Sequence, residues 1–101
     1  MTFAFRICPL TFVLIALDLL GQTGTDAVSV DETVDLASAR LALKDTLLFG
    51  NIDPVQTLWQ GDEAQVHEAV SRTKEAGVDA VWPGCDLVPQ TPSQNIKAMI
   101  N

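Results

Sequence analysis

Apolar and polar positions along this chain recur in one rhythm: a short apolar run, a turn or cap signal, then a stretch with apolar residues three and four apart. Phe3 to Cys8 reads as a strand, Pro9 as a turn, and Thr11 to Leu20 as a helix closed by Gly21 and Gly24. Asp26 to Val30 is a short β-branched strand ending at two carboxylates, Asp31 and Glu32. Thr33 or Asp35 then caps a helix through Leu43, with Leu36, Ala39, Leu41 and Leu43 on its buried side. Thr46 to Phe49 forms the third strand, ended by Gly50-Asn-Ile-Asp-Pro54. Pro54 opens a short helix through Trp59, and Asp62 caps a longer one from Glu63 to Ala76. In that helix Val66, Ala69, Val70 and Thr73 share a face, and Gly77 supplies the C-terminal cap.

The fourth apolar run, Val78 to Trp82, is stopped by Pro83-Gly84, so Cys85 is the first side chain beyond a strand end. Thr91 as N-cap and Pro92 at the first helical position then open a final helix. Strand and helix alternating four times predict an α/β fold with a parallel sheet. At about 25 residues per unit, the 101 residues match four parallel βα units of a (β/α)8 TIM barrel, which needs roughly 250 residues in all. The chain therefore reads as the C-terminal half of such a barrel. Four strands cannot close it, so sheet edges and part of the inner face are expected to be uncovered, favouring self-association or a missing N-terminal half.

Composition agrees with that picture. Hydrophobic residues make up 48% and charged residues 19%, an apolar excess for a small domain. The net charge of −7 argues against nucleic acid or an anionic membrane as partner. Two cysteines, at 8 and 85, are too few for a disulfide framework, and a reduced, cytoplasmic setting is the default. The apolar run Ile7 to Leu17 after Arg6 also has the outline of a secretory leader, but Asp18 cuts it short and no clean cleavage site follows; strand plus helix is the reading taken.

In βα architectures chemistry collects where the strands end, because the loops converge there on a rigid frame. The residues expected at that mouth are Cys8, Asp31 with Glu32, Gly50 with Asn51, and Cys85. Two thiols and a carboxylate suit zinc in kind, although single cysteines at strand ends are more often small buried apolar residues. His67 falls on the polar side of its helix, and Trp59 and Trp82 read as packing residues.

Four blocks carry a family resemblance: Gly50-Asn-Ile-Asp-Pro-Val-Gln-Thr-Leu58, Gly61-Asp-Glu-Ala-Gln-Val66, Lys74-Glu-Ala-Gly-Val-Asp79, and Pro83-Gly-Cys-Asp-Leu-Val-Pro-Gln-Thr-Pro92 with Ser-Gln-Asn-Ile-Lys-Ala98. They resemble the uroporphyrinogen decarboxylase superfamily, and within it the methylcobamide:coenzyme M methyltransferase branch; residues 1–101 would form a partial domain of that kind. A cysteine at position 85 is the methyltransferase pattern, where the decarboxylases carry histidine. In the methyltransferases the resemblance implies a zinc motif, His-x-Cys at one strand end with a distant Pro-Gly-Cys. Here the counterparts are Arg6-Ile7-Cys8 and Pro83-Gly84-Cys85, and arginine has no lone pair to give a metal. The family's usual Gly-Asn-Thr after the first cysteine is also absent, since Pro9-Leu10-Thr11 stands there. Ser29-Val30-Asp31-Glu32 matches a carboxylate-bearing context, with Asp31 chosen as the ligand.

The resemblance thus implies Cys8, Asp31 and Cys85 as zinc ligands, and Gly50 and Asn51 as the place where a strand end approaches substrate or cofactor. It implies a small thiol that accepts a methyl group from a methylated corrinoid on a partner protein, with the chain inactive when alone. The alternatives are decarboxylation of the uroporphyrinogen type, in tetrapyrrole biosynthesis, and a non-catalytic half-barrel remnant.

Overall fold

The computed structural model describes residues 9–100. The elements run α1 (Pro9–Gln22), β1 (Ala27–Ser29), α2 (Leu36–Ala42), β2 (Leu47–Ile52), a wide helical turn (Pro54–Trp59), α3 (Glu63–Glu75), β3 (Ala80–Pro83) and α4 (Ser93–Ile100). The three strands form one parallel sheet in the order β1-β2-β3. Val28 stands opposite Leu48, and Phe49 opposite Ala80. The strand expected over 3–8, and with it Cys8, lies outside the described residues.

Each helix forms where its local signals place it. Asp62 accepts from Gln65 N–H at 2.9 Å while the Gln65 side chain accepts from Asp62 N–H at 2.8 Å, a reciprocal cap that starts α3. Gly77, at φ +101°, ends it. Asp35, not Thr33, caps α2 through Ser38. The turn after Pro54 is wider than an α-helix: Leu58 N–H reaches Asp53 O at 3.1 Å and Gln60 N–H reaches Val55 O at 3.0 Å, each five residues back. At α4 the Pro92 carbonyl accepts from Ile96, whereas the Thr91 hydroxyl donates back to Val88 O, so the helix opens one residue later than expected.

Strand alternation sorts the sheet into two faces. Val28, Leu48, Ile52 and Val81 point to the helices. Leu17, Leu36, Ala39 and Leu43 pack around the first two, and Leu58, Val66, Val70 and Ala98 around the others. Leu17 of α1 is 4% exposed and joins the cluster around Leu36, Ala39 and Leu43, so this helix packs against α2. Leu41 departs from expectation at 71% exposed: five residues after Leu36, it has rotated to the far side of α2. The other sheet face carries Ser29, Phe49 and Trp82 and no helix among the described residues. There the Trp82 indole N–H donates to Ser29 Oγ at 2.9 Å, and its ring meets Phe49 edge-on at 4.9 Å. The two tryptophans expected as core or helix–sheet packing residues are instead exposed, Trp59 at 39% and Trp82 at 41%.

At the strand N-terminal end one cation gathers the chain. The Arg40 guanidinium donates to Asp79 Oδ2 at 2.8 Å and to the carbonyls of Gly77, Leu43 and Thr46. Asp79 Oδ2 accepts in addition from Leu48 N–H at 2.8 Å.

Candidate functional site

The opposite end, where the strands finish, brings three loops together. β2 runs three residues further than the pattern predicts, through Ile52, because Gly50-Asn51 continues the ladder instead of breaking it. Gly50 sits at φ +151°, and a Cβ there would lie 2.9 Å from Val30 O, so glycine lets β2 pass hard against the end of β1. The next side chain, Asn51, turns into the β1–α2 loop. Its Nδ2 donates to Asp31 O at 2.8 Å and to Val34 O at 2.9 Å. Both residues put forward as cofactor contacts are thus engaged with the neighbouring loop.

That loop is also tied from within, since Asp31 Oδ1 accepts from Thr33 N–H at 2.9 Å and from the Thr33 hydroxyl. The third loop meets it from β3. Gly84 N–H donates to Ile52 O at 2.9 Å, which fixes Pro83-Gly84-Cys85 to the end of β2. Gly84 then passes so close to the first loop that a Cβ on it would lie 2.6 Å from Glu32 N and 2.9 Å from Glu32 Oε1. Cys85 follows directly as a free, exposed thiol. The carboxylate set beside Gly84 belongs to Glu32, whereas Asp31 spends an oxygen on its own turn. The sequence places both carboxylates at this mouth and favours Asp31; the structure shows Asp31 Oδ1 bonded within its own turn and Glu32 beside Gly84.

In kind, a thiol and a carboxylate suit zinc, which takes three or four such donors at about 2.0–2.3 Å. In number they fall short here: among the described residues no three His, Cys, Asp or Glu side chains converge. Cys8, the further donor the resemblance implies, is outside the described residues. His67 is exposed on α3, as its polar position predicts. A cleft of about 350 Å³ opens between α2 and α3, lined by Glu32, Asp35, Asn51, Asp53 and Arg72 among others, but Cys85 is not part of its wall. Two of its carboxylates, Asp35 and Asp53, are taken up locally. Asp53 accepts from Val55 and Gln56 N–H, and the Ser38 hydroxyl and then its N–H hold the Asp35 carboxyl below the usual value of 3.8.

Comparison with known proteins agrees with this geometry. The profile of the uroporphyrinogen decarboxylase (URO-D) family matches residues 12–101. Methylcobamide:CoM methyltransferase MtbA of Methanosarcina acetivorans is 37% identical over 84 residues, 83% of this chain and 25% of the relative. The uroporphyrinogen decarboxylase of Gloeobacter violaceus is 35% identical over 82 residues, 77% of this chain and 23% of the relative. Among solved structures, a methyltransferase from Methanosarcina mazei superposes with a TM-score of 0.78 at 27% identity, covering 83% of this chain and 26% of that one. The chain spans about a quarter of the length of these relatives, less than the half barrel its repeat pattern predicts. With the profile covering nearly its whole length, the chain belongs to the uroporphyrinogen decarboxylase family.

Proposed function

We propose that the chain carries part of the site of a corrinoid-dependent methyltransferase, in which an activated small thiol accepts a methyl group from a methylated corrinoid borne by a partner protein. The observation that supports it is Cys85: Pro83-Gly84 delivers an exposed thiol at the end of β3, against the loop that bears Asp31 and Glu32. The similarity to the MtbA and MtaA methyltransferases points the same way. Cys8, Asp31 and Cys85 are the proposed zinc ligands. Zinc bound there would keep a thiol in its thiolate form near neutral pH. The chain's own residues shape the place: Gly50 and Gly84 admit the close approach of three loops, and Asn51 holds the first of them. Arg6 leaves the set one ligand short, so the chain by itself is proposed to be inactive.

A second reading, decarboxylation, is favoured by the decarboxylase relatives and needs no metal. Zinc affinity separates the two. Arg6→His restores an imidazole and removes a cation two residues from Cys8, so affinity measured by competition with a chromogenic chelator is expected to rise at least about tenfold, and the gain to vanish when Cys85→Ser is added. A folded Arg6→His chain with unchanged zinc affinity would show that Cys8 and Cys85 share no site.

A further inference from the structure

We propose that Asn51 is a positioning residue, whose carboxamide sets the distance between the carboxylates of the Asp31–Val34 turn and the Cys85 thiol. The inference rests on the reading of Cys85 as a zinc-ligand thiol of the proposed site and adds what controls its surroundings. Three contacts carry it. Asn51 Nδ2 bonds two carbonyls of the turn, Asp31 O at 2.8 Å and Val34 O at 2.9 Å, and so grips both its ends. Gly84 passes the turn between those two points, so close that a Cβ on it would lie 2.6 Å from Glu32 N and 2.9 Å from Glu32 Oε1. Gly84 is itself bonded to Ile52, the residue after Asn51, so the turn and the thiol loop share one anchor at the end of β2. The Asx bonds inside the turn fix its shape, and the Val30 N–H bond to Phe49 O holds only the residue before it, so Asn51 is the side chain that ties Asp31 and Val34 themselves to β2. Without the Asn51 carboxamide the turn keeps its internal bonds and the Val30 N–H bond to Phe49 O, but loses both side-chain ties to β2, which loosens the hold on the Asp31 and Glu32 charges beside Gly84.

The consequence is electrostatic and can be read at Cys85 without any metal. The full chain carrying Cys8→Ser, so that Cys85 is its single thiol, is reacted at one pH and low salt with a dianionic aryl disulfide, dithiobis-nitrobenzoate, and with a neutral one, dithiodipyridine. The ratio of the two rates cancels the fraction of thiolate and leaves the local field, which the nearby carboxylates make repulsive to the anionic reagent. Asn51→Ala is expected to lower the neutral-to-anionic ratio at least about threefold, toward the value of a chain in which Asp31→Asn and Glu32→Gln have removed the charges. A purely structural residue would change stability and leave this ratio alone. A folded Asn51→Ala chain with the native ratio overturns the proposal, as does a native ratio in the charge-neutralised chain. Should Asn51→Ala fail to fold, hydrogen exchange of the Asn51 side-chain amide in the unsubstituted chain decides: protection supports the two bonds to the turn, and exchange at the free rate overturns them. Loss of the zinc response to Arg6→His with the charge discrimination intact would remove the methyl-transfer reading and leave the role of Asn51 standing.

Discussion

At Asp79 one carboxylate oxygen serves two masters, the Leu48 N–H of the neighbouring strand and the Arg40 guanidinium. The Leu48 bond first, then the Arg40 bond, holds its carboxyl below the usual 3.8. A carboxyl whose folded pKa is depressed contributes stability that is complete above the unfolded value and is lost as pH falls through the folded one. Acidification below 3.8 is therefore expected to weaken the fold through this residue. Asp79→Asn should be less stable than the parent at neutral pH and should lose less on acidification; urea midpoints at neutral and acidic pH check it, and parallel profiles for the two chains would contradict it. None of this was legible beforehand, because Arg40 and Asp79 lie on different units and only folding brings them together. The same holds for Asn51, whose partners are carbonyls from another loop. Caps such as Asp62 and Gly77, whose partners lie a few residues away, could be read directly.

Elements were legible to the degree that their signals are local. α3 has its cap, its face and its stop within the segment, and stands where the pattern places it. β2 was read short because Gly-Asn normally marks a turn, while here glycine is required by the approach of Val30 and the ladder carries on past it. The junction of α4 with the wide turn shows a second kind of illegible feature, a buried polar tie. Asn95 is 2% exposed and donates to Leu58 O at 2.8 Å and Gly61 O at 2.9 Å, one carbonyl in the wide turn and one just after it. Asn95→Ala would leave both carbonyls without this donor and is expected to cost about 1–3 kcal/mol, measured from urea midpoints. A loss within a few tenths of a kcal/mol would mean that water replaces the amide.

For the molecule as a whole, helices cover one sheet face, while Leu47, Phe49 and Trp82 stand on the other. Leu47 and Trp82 remain substantially exposed there. Among the described residues this face is uncovered and the strand edges are open, which favours association. The chain alone is therefore expected to sediment as oligomers; a well-dispersed monomer with a cooperative melt would overturn the reading of it as part of a barrel. The parallel order of the sheet was legible from the alternation of runs and caps, and the share of the relatives' length was not. Among the described residues no helix is long and apolar enough to cross a membrane. Arg40 has a bearing on how such a chain comes apart. Its guanidinium sits where the end of α2, the approach to β2 and the turn from α3 into β3 meet, so opening either crossover breaks bonds that the other also holds. Two repeats that look modular in the sequence are thus expected to open together more often than apart, because one side chain bonds both.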